Sequence, residues 1–207
     1  MQNPFPLLPL VTLAFEYAKA AHERVGQMRK FCVPPKPYIV HPAQVAGYVL
    51  QTIHNDEETA AIAVLHDVLE DTLKEGQTVA EASYEMRAHF LNHGVDKAVA
   101  ERIRLGVLQV TDVAVPEDGI RAVRMAINCD HAAKAEPKQQ TVKLADMKSN
   151  MPSIVKFNPG FARKWVEEKA NVHVRMTQGD PALHKEVGEM IEAYRARRFN
   201  PDDYEIV

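Results

Sequence analysis

Three observations on this 207-residue chain predict an all-α fold. Apolar residues recur at helical spacing along most of its length, no segment alternates convincingly at period two, and the breaks between periodic stretches carry helix-capping residues. With 46% hydrophobic residues and no Gly/Ser-rich linker, the chain can bury one sizeable core. A single domain over 1–207 is the simplest account, with its core from about 13 to 175 and final helices reaching about 198.

Leu13 to Val25 presents an apolar face, in which His22 reads as a packing or hydrogen-bonded histidine. Pro37-Tyr38-Ile39-Val40-His41-Pro42 then leads into a stripe of Val45, Val49, Leu50 and Ile53. Pro42 suits a first helical turn, because its missing N–H would have no partner there, so His41 stands at the helix entrance. The run Ala60-Ala61-Ile62-Ala63-Val64-Leu65 is apolar on nearly every side, which predicts a helix central to the domain and continuing through Asp71. Thr78 with Glu81 reads as a capping box opening a helix to about Asn92, with Gly94 as its C-terminal cap. Val99, Ile103, Val107 and Leu108 give the next stripe, up to Thr111-Asp112. Another helix is expected from about Asp118 to Ala135, followed by the apolar stretch Thr141–Asp146. Phe161 to Thr177 and Pro181 to Arg198 read as two last helices, broken at Gly179-Asp180. The basic end Arg195-Ala196-Arg197-Arg198 fits a helix C-terminus by the dipole rule, with an interaction patch as the alternative.

The residues that draw chemical attention are His66-Asp67-Val68-Leu69-Glu70-Asp71. At about 100° per residue, the imidazole and the three carboxylates share one face of the helix. Burying such acids without compensation costs many kcal/mol, so they need a cation, basic partners or raised pKa values. A divalent metal meets that need best. The alternative is that Glu70 and Asp71 form the wet end of an amphipathic helix, with His66 a hydrogen-bonded core histidine. His41 is a second candidate nitrogen ligand, and Asp146, closing its apolar stretch, a further oxygen. The set His41, His66, Asp67 and Asp146 has no thiolate and suits Mn²⁺, Fe²⁺, Zn²⁺ or Co²⁺ better than a structural zinc site.

These motifs carry a resemblance. A His-Pro after Tyr-Ile-Val, a Leu-His-Asp-Val-Leu-Glu-Asp-Thr helix, a Val-Thr-Asp segment and a Lys-Leu-Ala-Asp with Asn four residues on resemble the HD-type hydrolase domain of the RelA/SpoT family. More narrowly they are similar to its small single-domain alarmone hydrolases, a group that includes the metazoan SpoT homologue. The resemblance runs from about Leu13 to Arg175 and implies an HD-domain phosphohydrolase helical bundle. It implies that His41, His66, Asp67 and Asp146 bind one divalent metal, usually Mn²⁺, and that Glu70 and Asp71 are the catalytic acid pair. A metal lowers the pKa of water until it is a usable nucleophile, and an adjacent carboxylate can orient that water and take its proton.

The implied reaction is hydrolysis of the 3′-pyrophosphate of guanosine tetra- or pentaphosphate, the alarmones of the stringent response, to GDP or GTP and pyrophosphate. Arg29 and Lys30 match a basic pair that contacts the nucleotide in the family, and Asn150 its nucleotide-contacting asparagine. Lys143, Arg121 and Arg124 are further candidate cations, each with an ordinary surface charge as the alternative. The chain departs from the family at Met147 and Lys148, where a basic residue and then a leucine are usual. It departs again at the proline-stiffened Phe31–Pro37 link and at Trp165, the loose counterpart of a nucleotide-contacting tyrosine. Two other readings therefore remain: a related HD phosphohydrolase acting on a nucleoside monophosphate, an adenosine alarmone or the 2′-phosphate of NADPH, and a binding regulator without turnover. The length leaves no room for a second, synthetase-type domain, so degradation alone is expected.

The formal charge of −3 and the short basic end give no case for nucleic acid as a partner. Met1–Pro6 lacks the basic start and apolar run of a signal peptide, and no run of about 18 apolar residues could span a membrane, so a cytoplasmic protein is expected. Cys32 and Cys129 lack metal-type spacing and are expected as free thiols. His54, His89, His93, His131, His173 and His184 read as surface or helix-end residues. Oligomeric state is left open by the sequence.

Overall fold

The computed structural model describes residues 8–207, so the Met1–Pro6 segment lies outside the described residues. Ten α-helices are formed among those described: α1 (Pro9–Arg24), α2 (Val40–Val49), α3 (Glu57–Leu65), α4 (Val68–Asp71), α5 (Val79–Asn92), α6 (Lys97–Val110), α7 (Arg121–Lys134), α8 (Pro137–Phe157), α9 (Pro159–His173) and α10 (Pro181–Arg195). Short 3-10 turns lie at Pro116–Asp118 and Pro201–Asp203. The only sheet among the described residues is a two-residue antiparallel ribbon, β1 (Met28–Arg29) paired with β2 (Lys36–Pro37). No helix among the described residues is long and apolar enough to cross a membrane.

The architecture is an all-α bundle organised around α3, which packs against α1, α2, α6 and α8. Every residue from Thr59 to Leu65 is buried, as expected of a helix apolar on all sides. Burial of Ile62, Val64 and Leu65 contributes roughly 1.5–3 kcal/mol each. Its N-cap is Asp56, whose Oδ1 accepts from the Thr59 amide at 3.0 Å. The Thr78–Glu81 capping box forms at the head of α5, and Gly94 (φ +80°) follows its C-terminus in the left-handed conformation. Two other glycines mark close approaches. A Cβ at Gly106 on α6 would lie 2.3 Å from Ile62 Cδ1 of α3, and one at Gly179 would lie 2.7 Å from Leu144 Cδ1 of α8.

The structure corrects the expected elements in three places. The helix carrying the acidic hexapeptide does not run through. It ends at Leu65, Asp67 takes φ −95° and ψ −6°, and a new turn starts at Val68. The stretch expected as Thr141–Asp146 is the middle of the 21-residue α8, which continues past an internal Pro152. α1 begins at Pro9, four residues before the expected Leu13, because proline serves its first turn. At the far end, Asp180 caps α10 through the Leu183 amide (2.7 Å) and also accepts from the Ile53 amide (3.0 Å), tying the loop after α2 to α10.

Candidate functional site

His41 comes from the first turn of α2, His66 and Asp67 from the α3–α4 break, and Asp146 from the buried face of α8. His41, His66 and Asp146 each offer a ligand atom, and these atoms lie within 4.8 Å of one another. Asp67 Oδ2 stands 3.0 Å from His66 Nε2 and 3.6 Å from His41 Nε2, and Asp146 Oδ1 stands 3.5 and 3.1 Å from the same two nitrogens. The break at Asp67 is what allows this. Its turn brings His66 and Asp67 to the centre, while Glu70 engages the Asp112 amide and Asp71 engages Gln27, so the four groups do not lie along the continuous helix expected.

Each ring is held from behind. His66 Nδ1 meets the Ala63 carbonyl at 2.8 Å, and His41 Nδ1 meets Ser149 Oγ at 2.9 Å. A carbonyl only accepts, so in the neutral His66 ring Nδ1 carries the hydrogen and Nε2 is a bare lone pair. Both Nε2 atoms are buried and neither makes a hydrogen bond, although carboxylate oxygens lie close by. Buried polar atoms are almost always partnered, so two orphan lone pairs facing two carboxylates define a place for a cation. This cluster can hold a metal ion.

The charge states agree. Burial would lower the His66 pKa, yet Asp67 and Asp146 outweigh it and hold the imidazole well above its ordinary value. Burial would raise Asp67 and Asp146, and the two imidazoles hold both below the usual carboxylate range. His41 is lowered, chiefly by burial. Without a metal, a proton on His66 supplies the positive charge that the centre demands. Tyr38 Oη donates to Asp67 Oδ2 at 2.5 Å, and Asn150 Nδ2 donates to Asp146 Oδ1 at 2.6 Å, fixing both carboxylates from outside.

The flanking acids are built differently. Glu70 Oε1 accepts from the Asp112 amide at 2.7 Å. Loss of water around its carboxyl pushes the Glu70 pKa up to about 7, with Lys143 opposing and Asp112 and Asp67 adding to the rise. Lys143 bonds Asp112 Oδ1 at 3.2 Å. Asp71, on the other side, accepts from Gln27 Nε2 at 2.7 Å and is also raised, first by burial and then by Asp67. Gln27 Oε1 in turn accepts from Nδ1 of the buried His22 at 2.7 Å.

The other sequence candidates fall in varied places. Asn150 joins the site through Asp146. Arg29 is 5% exposed, its guanidinium bonded to Asn150 Oδ1 (2.7 Å) and Ser153 Oγ (3.2 Å), so it braces α8 from behind. Lys30 is exposed. Arg121 is engaged with Glu168 (2.8 and 2.7 Å). Met147 is in the core, Lys148 bonds Glu186 at 2.8 Å and lies over the Tyr48 ring, and Trp165 is buried on α9. Cys32 and Cys129 are free. The sequence did not single out Tyr38, Gln27, Ser149 or Gln44. Tyr38 had a signal in its place three residues before His41, and the others had none.

Fold and site together define a helical protein with a buried His/Asp cluster able to hold a metal ion, flanked by two carboxylates of raised pKa. Comparison with known proteins adds to this. No family model matches the chain. In sequence it is similar to the GTP pyrophosphokinase rsh of Brucella ovis, 28% identical over 96% of this chain and 24% of that protein. It is also similar to the guanosine-3′,5′-bis(diphosphate) 3′-pyrophosphohydrolase of Haemophilus influenzae, 26% identical over 92% of this chain and 25% of that protein. The chain thus spans about a quarter of the length of these curated relatives. In fold it is similar to a solved structure described as a metazoan ortholog of SpoT that hydrolyses ppGpp and plays a role in starvation responses. That likeness has a TM-score of 0.70 and 20% identity, and covers 94% of this chain and 98% of the other. These relatives are of the kind that the motifs resembled.

Proposed function

We propose that this chain is a metal-dependent hydrolase of the 3′-pyrophosphate of guanosine tetra- or pentaphosphate, giving GDP or GTP and pyrophosphate. The observation that carries the reading is the pair of buried, unpartnered imidazole nitrogens beside Asp67 and Asp146. The names of the sequence relatives supply the substrate class.

His41, His66, Asp67 and Asp146 would hold the metal, with Mn²⁺ expected and other first-row divalent ions suiting the same donors. When bound, such an ion supplies charge neutralisation at the phosphate and activation of water. Glu70, with a pKa near 7, is suited to take a proton around neutrality, and Asp71 completes the acid pair. Lys143, near Glu70 and Asp146, adds positive charge for a substrate rich in phosphate. Lys30 and Asn150 are the proposed nucleotide contacts. Arg29 can join them by exchanging its bond to Asn150 for one to the substrate. A guanosine nucleotide substrate goes with action in the cytoplasm.

A second reading, a related phosphohydrolase acting on a nucleoside monophosphate, an adenosine alarmone or NADPH, is favoured by Lys148. That lysine is paired with Glu186 and lies over the Tyr48 ring, while Met147 leaves the position after Asp146 without a cation. The deciding experiment is product analysis on metal-stripped protein given Mn²⁺ and guanosine tetraphosphate, beside a panel of the other compounds. Mn²⁺-dependent pyrophosphate and GDP are expected. Orthophosphate from a nucleoside monophosphate or NADPH, or pyrophosphate from the adenosine alarmone, with the guanosine tetraphosphate untouched, would move the substrate to the second reading.

A further inference from the structure

His41 and His66 both face the centre through Nε2, but the means differ. His66 is set by one bond to a carbonyl three residues earlier in its own helix. His41 Nδ1 faces a hydroxyl, Ser149 Oγ, and a hydroxyl can donate or accept. Ser149 by itself would serve either tautomer of His41.

The choice is made further out. Gln44 Nε2 donates to the backbone carbonyl of Glu205 at 2.9 Å, and Ser149 Oγ donates to Gln44 Oε1 at 2.6 Å. The Glu205 carbonyl only accepts, so it takes the amide NH₂ of Gln44 and turns the amide oxygen toward Ser149. That oxygen also only accepts, so the Ser149 hydroxyl hydrogen is committed to it. Ser149 Oγ then meets His41 as an acceptor, the hydrogen of His41 lies on Nδ1, and Nε2 is bare. Three bonds from three separate parts of the chain, α2, α8 and the segment after the Pro201–Asp203 turn, thus have one consistent direction.

We propose that Gln44 is a positioning residue for the metal site, through which the Glu205 carbonyl fixes the direction of a hydrogen-bond chain that presents a bare His41 Nε2. The proposal rests on the reading of His41 as a metal ligand. It also makes the C-terminal segment part of the support of the site.

The test uses full-length, metal-free protein labelled with ¹⁵N-histidine. Long-range ¹H–¹⁵N spectra report the His41 tautomer, assigned by the signal lost in His41→Asn, and dye competition reports Mn²⁺ affinity. In the unmodified protein His41 is expected wholly as the Nδ1–H form. Gln44→Leu removes the acceptor that commits the Ser149 hydrogen, so a mixture of tautomers is expected, with Mn²⁺ affinity weakened about tenfold. Gln44→Glu keeps an oxygen for Ser149 and is expected to restore the tautomer. An unchanged tautomer and affinity in Gln44→Leu would overturn the proposal. If that variant does not fold, Ser149→Ala, which takes away the acceptor for Nδ1, carries the same expectation and the same refutation. Failure of the underlying reading has a separate signature: His41→Ala would then leave Mn²⁺ affinity unchanged, whatever the tautomer spectra show.

Discussion

At the centre of the site Asp67 and Asp146 face two imidazoles and are held below the ordinary carboxylate range. One helical turn from Asp67, Glu70 and Asp71 are given amide donors and are held above it. All but Asp146 come from the same short stretch of chain, so composition does not separate them. The break at Asp67 does, by turning the first residues inward to ring nitrogens and the later ones outward to the Asp112 amide and Gln27. The contrast teaches a division of labour. Carboxylates held below their ordinary range suit holding a cation, and a carboxylate such as Glu70, pushed up to about 7, suits moving a proton.

The contrast breaks most severely if a central group is removed. His66→Ala or Asp67→Ala is expected to lose bound metal and to fall to the background rate, checked by elemental analysis beside product formation. Metal binding also stabilises the folded protein, by about 2.7 kcal/mol at a free concentration of 100 Kd. For a chain of this length that raises Tm by roughly 5–10 °C. Mn²⁺ should produce such a rise in the unmodified protein and little in either variant. Unaltered metal content in both would mean that the ligands lie elsewhere.

The flank is expected to behave in the opposite way. Glu70→Gln keeps size and polarity, and should retain metal and its thermal effect while losing about 10²–10⁴-fold in kcat, the range for a general base. If its metal content falls with its rate, Glu70 belongs with the centre and the division fails.

A finer test uses the pH profile of kcat/KM. Glu70 works as a base only when deprotonated, so the rate rises with pH through its pKa, near 7 in the metal-free site and lower once a cation is nearby. Lys143 stabilises the carboxylate, so Lys143→Gln should move this acid limb to higher pH. Asp112 destabilises it, and its backbone amide bond to Glu70 survives substitution, so Asp112→Asn should move the limb to lower pH. Opposite displacements from two residues bonded to each other identify Glu70 as the titrating group. Displacement in the same direction would point to a group other than Glu70.

How much of this was legible in the sequence depends on how local each cause is. The all-round apolar Ala60–Leu65 run announced a central helix, and Thr78 with Glu81 announced a cap, because each signal lies within one or two turns. The length of α8 was not legible. Gln139, Gln140, Thr141, Ser149 and Ser153 carry polar side chains and Pro152 lacks a backbone N–H, so no local pattern marks one long buried helix, yet tertiary packing buries all six. The hexapeptide drew attention as a site, but its helical wheel assumed a continuity that Asp67 interrupts. The supporting residues were the least visible. Tyr38 reaches Asp67 across 29 positions, Gln27 reaches Asp71 across 44 and Ser149 reaches Gln44 across 105, distances that no local pattern records.

The smallest expected effect lies on the Asp71 side, and it sharpens the comparison within the flank itself. Gln27 Nε2 stabilises the ionised form of Asp71, while its Oε1 holds His22 Nδ1. Gln27→Leu removes a hydrogen bond to a charged group, worth at most about 1.5–3 kcal/mol when buried and less at this exposed site. Asp71 already sits above its ordinary value, so losing this donor raises it further. Protonated Asp71 should then accumulate as pH falls, and the rate deficit of Gln27→Leu should be a few-fold at the acid end of the pH profile and vanish at its alkaline end. His22, buried and left with no partner for Nδ1, is also loosened beside Tyr38, whose ring lies 4.7 Å away. A deficit that is the same at both ends would mean that Gln27 acts through His22 and Tyr38 on Asp67, and so on the centre, with Asp71 a bystander.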